Sequence, residues 1–199
     1  VVDQSSGVLH LFMMSAPRGT CQMRRQVGEA DCVRTYQEGE RRIRYVRGRF
    51  QDGRMAFHRA GRDIPDLTAN LQPPSTRFDL IGPGAGIQIA NHDSPYRGSL
   101  LIPAIGRTFI SDNGGRSWRM GDGRLSTASS ETTLMELDDG RILRNDRVTR
   151  RFREEHPSRL LSFSETGGEH FPAFTYSILT VPDPAVQASM LRYAAGQLF

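Results

Sequence analysis

The sequence predicts an all-β protein assembled from four-stranded antiparallel units, and three observations carry that expectation. Short β-prone runs alternate with turn chemistry along most of the chain, helical periodicity is nearly absent, and one hairpin pattern recurs at the step a four-stranded unit needs.

The β-prone runs are Val8 to Met14, Arg42 to Arg47, Ile87 to Ala90, Ser99 to Ala104, Arg107 to Ser111, Thr132 to Leu137, Arg141 to Asn145, Arg159 to Ser164 and Ser177 to Val181. Gly82-Pro83-Gly84, Asp112-Asn113-Gly114-Gly115, Asp138-Asp139-Gly140 and Pro182-Asp183-Pro184 break the chain between them. Asp66 to Asn70 has the composition of a single helical turn. Many short strands with regular turns fit a sandwich, a barrel or a propeller, and strand counting does not choose.

The recurring pattern chooses the propeller. Ser111-Asp112-Asn113-Gly114-Gly115-Arg116-Ser117-Trp118 follows the form Ser-x-Asp-x-Gly-x-Thr-Trp, with Asn113 at the Asp position and Ser117 at the Thr position. A worn copy stands at Ser164 to Phe171, and a weaker one at Phe50 to Phe57, where Asp52 and the last aromatic match. Steps of about 50–60 residues are what four-stranded propeller blades need. In such a turn a short polar side chain takes nearby backbone N–H groups, Gly permits the left-handed backbone, and the aromatic packs between strands. Ser111, Asn113, Gly115 and Trp118 are therefore structural residues of an Asp box. The plainer alternative is an ordinary Asn-Gly hairpin with an exposed Trp.

Composition bounds the function. The chain has 199 residues, 37% of them hydrophobic and 24% charged, which is ordinary globular usage. No apolar run approaches the length of a membrane span, and Val1 to Met14 reads as a strand, not a signal peptide. The net charge of +4 rests on 26 basic residues, all of them Arg. These alternate with acids except at Arg41, Arg42, Arg44, Arg47 and Arg49, so a nucleic-acid partner is not expected. A small anionic ligand suits the same charge. Cys21 and Cys32 either close a small disulfide or remain two thiols. The five histidines show no metal-ligand spacing, and neither a metal nor a cofactor is expected.

The segment from Glu131 to Arg147 is the most informative. It reads as a hairpin turning at Asp138-Asp139-Gly140. A three-residue loop sets Leu137 against Arg141, and counting outward sets Glu131 opposite Arg147 at the open end. A slip of one residue would separate them. On geometry alone the pair is either a cross-strand surface ion pair, contributing about 0–1 kcal/mol, or part of a binding site.

This hairpin resembles the exo-α-sialidase segment in which a glutamate leads into a strand and an arginine closes the return strand. Further stretches resemble that family in the same order: Val2-Asp3 with Gly7 to Phe12, Gly82 to Gln88, Leu101 to Ala104, the Ser111 turn with Arg119-Met120-Gly121, and Pro184 to Ser189. The resemblance covers nearly the whole chain, most loosely from Ser15 to Gln72. It implies a partial six-bladed β-propeller of about three to four four-stranded antiparallel blades. Residues 1–199 would be the central part of a catalytic propeller, truncated at both ends.

What the resemblance implies about chemistry follows residue by residue. Sialidases hold the substrate carboxylate with three arginines, attack with a tyrosine paired to a glutamate, and protonate the leaving group with an aspartic acid. Arg147 matches the second arginine, and its planar fork suits bidentate capture of a carboxylate. Glu131 matches the catalytic glutamate. Gln88, in the Gly82 to Gln88 loop, is either a structural turn residue or a wall of the substrate pocket; no helix follows that loop, so it is not a phosphate cradle. The first arginine and the acid/base aspartate are expected upstream of Val1, and the third arginine and the tyrosine beyond Phe199. Tyr36, Tyr45, Tyr96, Tyr176 and Tyr193 match none of these positions.

The expected parent is thus a glycosidase releasing terminal sialic acid from glycoconjugates with retention, in an extracellular or lysosome-like setting, and the isolated chain is expected to be inactive. Two rivals are a non-catalytic Asp-box propeller that binds glycans or proteins, and a different Asp-box glycosidase or lyase.

Overall fold

The computed structural model describes residues 1–21, 34–35, 37, 40–58, 64–71, 81–121, 129–149, 152–154, 157–172, 175–176, 181–193 and 197–198. Among the described residues the chain is all-β apart from one short helix. Its first sheet contains β1 (Val2–Asp3) and β2 (Val8–Ser15). After β2 comes a short parallel pair, β3 (Thr20–Cys21) and β4 (Arg34–Thr35), and then β5 (Arg42–Gln51) and β6 (Arg54–His58) complete the sheet in the order β1-β2-β5-β6. Helix α1 (Thr68–Leu71) follows, capped by Asp66, whose Oδ1 accepts the Thr68 N–H at 2.9 Å. The expected helical turn therefore forms, two residues later than its first polar residue.

The second sheet is a meander of β7 (Ile87–Gln88), β8 (Leu100–Ala104), β9 (Arg107–Ser111) and β10 (Arg119–Met120). The third repeats the plan with β11 (Ser129–Glu136), β12 (Ile142–Val148), β13 (Leu160–Ser164) and β14 (Thr175–Tyr176). A final pair, β15 (Arg192–Tyr193) and β16 (Gln197–Leu198), stands apart. Within each four-stranded sheet every pairing is antiparallel, and among the described residues no sheet closes on itself. No described helix is long and apolar enough to cross a membrane.

The middle sheet is buried on both faces, which is why β8 reads as a continuous apolar run without alternation, while β9 buries Arg107, Thr108 and Ser111 along with Phe109 and Ile110. Leu100, Ile102, Ala104, Phe109 and Trp118 pack against Ile43, Tyr45 and Leu71 on the side of the first sheet. On the other side Ile89, Leu101 and Ile110 meet Leu134, Ile142, Val148, Leu160 and Phe171 of the third sheet. Successive residues of one strand thus serve two different cores, as the period of two dictates. Replacing Leu101, Ile142 or Leu160, each fully buried, by Ala costs about 2–5 kcal/mol.

Two turns share one hydrogen-bond pattern. In the β9–β10 turn Ser111 Oγ donates to Asn113 Oδ1 (3.0 Å) and accepts the Gly115 N–H (2.8 Å), and Asn113 Oδ1 accepts the Ser117 N–H (3.0 Å). In the β13–β14 turn Ser164 Oγ accepts the Gly168 N–H (3.0 Å), and Thr166 Oγ1 accepts the His170 N–H (2.9 Å). Trp118 and Phe171, which end the two turns, are both buried. The third, weaker copy is not built this way. Phe50 to Phe57 spans the β5–β6 hairpin, whose two-residue turn places Asp52 at φ 50° and Gly53 at φ 75°, the backbone of a type I′ turn, and leaves Phe57 exposed.

Several strands differ in extent from the expectation for identifiable reasons. β7 ends at Gln88, not Ala90, because the N–H groups of Ala90 and Asn91 are taken by the Glu136 carboxylate at 2.8 and 3.0 Å. β6 carries no buried residue and hence no alternation to read. β12 runs on through Asn145-Asp146-Arg147, whose polar composition resembles a turn, because those polar side chains find partners inside. Of the run Ser177 to Val181, residues 177–180 lie outside the described residues, as does Cys32.

Candidate functional site

The hairpin of β11 and β12 positions the candidate pair. Leu137 N–H donates to Arg141 O (2.8 Å) across Asp138-Asp139-Gly140, and Gly140 takes φ 83°, which a side chain would resist. This three-residue turn sets the register: Glu136 faces Ile142 and Thr132 faces Asp146. The register then shifts, since Ser129 faces Val148. One extra residue on β11 forms a bulge, so both Ser130 and Glu131 lie across from Arg147. Arg147 Nη1 donates to Glu131 Oε2 at 3.1 Å, and the two side chains are 23% and 22% exposed. The Arg147 Nε–H is buried and has no acceptor among the described residues. Because Nε is enclosed, the exposed part of the Arg147 side chain is carried by its other atoms.

Alternation along β12 separates two sets of charges. Arg144 and Asp146 point toward the second sheet and are wholly buried. Arg144 Nε donates to Asp146 Oδ2 (2.9 Å), and its other nitrogens donate to Arg107 O, Ala104 O and Thr132 Oγ1. Ser129 Oγ donates to the same Asp146 oxygen at 2.7 Å. Asn145 and Arg147 face the other way. Continuing the β12–β13 register by one residue beyond Asp146↔Leu160 brings Arg159 next to Arg147.

Arg159 is the participant that sequence reasoning missed. It is 3% exposed, donates Nε–H to Asn145 Oδ1 (2.8 Å) and Nη1–H to Val186 O (2.8 Å), and approaches Asp183 Oδ1 at 3.7 Å. Burial holds its pKa below the ordinary value, against the opposing attraction of Asp183, Asp146 and Glu131. Asp183 in turn accepts the Val148 N–H (2.6 Å) and the Ala185 N–H (2.7 Å). The signal available in the sequence was an arginine immediately before an apolar run and an aspartate between two prolines, both of which read as element ends.

The loop Gly82 to Gly86 presses onto the start of β11. Pro83 bridges Thr132, and a Cβ at Gly84 would overlap the Thr132 carbonyl, so glycine is required for that approach. Gln88 is held elsewhere: its Oε1 accepts the Gln4 N–H (2.7 Å), and its Nε2 donates to Asp3 Oδ1 (3.0 Å) and Gly98 O (3.1 Å). Its amide ties the first sheet to the second, with donors and acceptor engaged. Among the described residues no three His, Cys, Asp or Glu side chains gather as a metal site.

A scan against protein-family models finds no match. The chain is 37% identical over 130 residues to the exo-α-sialidase of Aspergillus fumigatus, an alignment covering 64% of this chain and 28% of that protein. It is 32% identical over 136 residues to the sialidase of Micromonospora viridifaciens, covering 63% of this chain and 20% of that one. Among solved structures, the Trypanosoma rangeli sialidase in complex with the inhibitor DANA superposes with a TM-score of 0.58 at 18% identity, over 93% of this chain and 30% of that chain. At that identity the likeness concerns the fold. The chain spans less than a third of the length of each. In sequence the chain is thus similar to these sialidases over about two thirds of its length, and in fold to a solved sialidase.

Proposed function

We propose that this chain forms part of a six-bladed sialidase propeller whose four-stranded sheets are blades, with residues 1–199 one stretch of its catalytic domain and the Ser111 and Ser164 turns its Asp boxes. The whole protein removes terminal α-ketosidic sialic acid from glycoconjugates with retention. The observation that carries this reading is the Glu131–Arg147 pair at the open end of the third sheet, in a chain whose named relatives are sialidases.

In this reading the solvent-facing part of the Arg147 guanidinium takes the sialic acid carboxylate in a bidentate pair, which Lys could not make. The anomeric carbon carries that carboxylate, so an anionic Asp or Glu nucleophile would be repelled. A tyrosine hydroxyl deprotonated by Glu131 as it attacks avoids the repulsion, and sialidases depart from the two-carboxylate scheme in this way. Gln88 is engaged in inter-sheet hydrogen bonds, which supports a structural role for it over a pocket wall.

The test is hydrolysis of a fluorogenic α-sialoside by the protein carrying this chain. Glu131→Gln is expected to lower kcat by about 10²–10⁴-fold, the range of a lost general base. Arg147→Lys is expected chiefly to raise KM. Wild-type rates in both variants would reject the assignment, as would release of the inverted anomer by the parent.

A further inference from the structure

The arginine-rich stretch on β5 is not used by the candidate site, and the fold divides it. Arg44 is committed, with Nη1 beside Asp66 Oδ2 at 3.6 Å and Nε donating to Ser15 Oγ. Arg47 lies on the opposite face of the strand, paired in register with His58 of β6. Across from it stands Arg116, in the β9–β10 turn of the next sheet.

These side chains meet in a cavity of about 500 Å³ between the first and second sheets. Arg47, His58, Asn70 and Arg116 line it, with Tyr45 and Trp118 among its walls. No carboxylate lines it among the described residues, and neither Arg47 nor Arg116 has an ion-pair partner among them. The nearby acids are occupied: Asp66 by Arg44, and Asp112 by Arg119 at 3.0 Å. Two uncompensated guanidinium groups and an excess of donors around one concavity call for an oxyanion. The volume exceeds that of a bare ion, and an aromatic wall beside Asn70 suits a ring that carries hydroxyls.

We infer that this cavity binds an anionic sugar, carboxylated or sulfated, through Arg47 and Arg116. The site is distinct from the Glu131–Arg147 pair and does not depend on the function assigned to it.

The chain's one tryptophan reports on the cavity, because Trp118 forms part of its wall. Glucuronate, glucose 6-sulfate, inorganic sulfate, glucose and a short single-stranded oligonucleotide are titrated separately while Trp118 fluorescence is followed. The expected result is saturable binding of glucuronate or glucose 6-sulfate, in roughly the millimolar range. Which of the two binds identifies the oxyanion. Arg47→Gln and Arg116→Gln, whose exposed positions leave folding intact by circular dichroism, should each weaken it at least tenfold, and Arg147→Gln should leave it unchanged. The inference is overturned by any of three results: neither acidic sugar binds, inorganic sulfate or the oligonucleotide binds as tightly, or the Arg47 and Arg116 variants bind like wild type.

Discussion

Arg144 donates its Nε–H to Asp146 Oδ2 at 2.9 Å with neither side chain exposed, on the same strand whose opposite face carries Arg147. Three charged residues within four positions thus serve two purposes, because successive side chains leave a strand on opposite sides. Arg144 links the third sheet to the carbonyls of Ala104 and Arg107 in the second. Its loss leaves a buried carboxylate uncompensated. Arg144→Met should therefore destabilise the protein by about 3–5 kcal/mol, read as a shift of the urea midpoint. The double change Arg144→Met with Asp146→Leu should recover part of that loss.

The Glu131–Arg147 pair should behave differently. Both side chains retain contact with water, so a double-mutant cycle of Glu131→Gln and Arg147→Gln should give a coupling of about 1 kcal/mol or less, falling with added salt. A large stability coupling would mark the pair as a structural device.

Glycine at two turns should separate strain from crowding. Gly53 and Gly115 have nearly equal φ values of 75° and 76°. A Cβ at Gly53 meets open space, whereas one at Gly115 overlaps the His10 ring. Gly53→Ala should cost about 1 kcal/mol from the left-handed backbone alone. Gly115→Ala should cost clearly more, with a correspondingly larger fall in Tm.

Acid should weaken the contact between the first two sheets in two steps. His10 is buried, pairs with Tyr45 Oη at 2.7 Å, and has its pKa lowered by burial to about 4 from 6.5. The unfolded chain therefore binds the proton more readily, and the stability contributed by neutral His10 is complete above pH 6.5 and lost as pH falls toward 4. Asp3, held at about 2 chiefly by its bond from the Ser6 hydroxyl, adds a second loss between its unfolded value of 3.8 and 2. Thermal melts should show Tm falling through both windows. In His10→Asn the fall between pH 6.5 and 4 should be flattened while the lower step remains.

Much of the fold was legible because its signals are local. β8 falls within the predicted Ser99 to Ala104 run, since five residues buried on both faces leave an unbroken apolar run. The turn at Asp138-Asp139-Gly140 was legible because only certain residues tolerate its backbone, and the Ser111 and Ser164 turns because one short polar side chain must reach a defined N–H. β6, with every residue exposed, carried no such signal. Its turn obeys Asp52-Gly53 chemistry and not the pattern shared by the other two.

The sequence by itself determined the strands with buried faces, the turns that close them, and the loop length that sets Glu131 near Arg147. Only the tertiary structure decided that a bulge brings those two within 3.1 Å, that Arg159 lies behind them, that Gln88 is committed to tying two sheets, and that Arg47 meets Arg116 across a cavity. The reason is physical. Strand period and turn backbone are properties of neighbouring residues, whereas the partner of a charged side chain depends on which sheet lies across from it, and no local pattern records that.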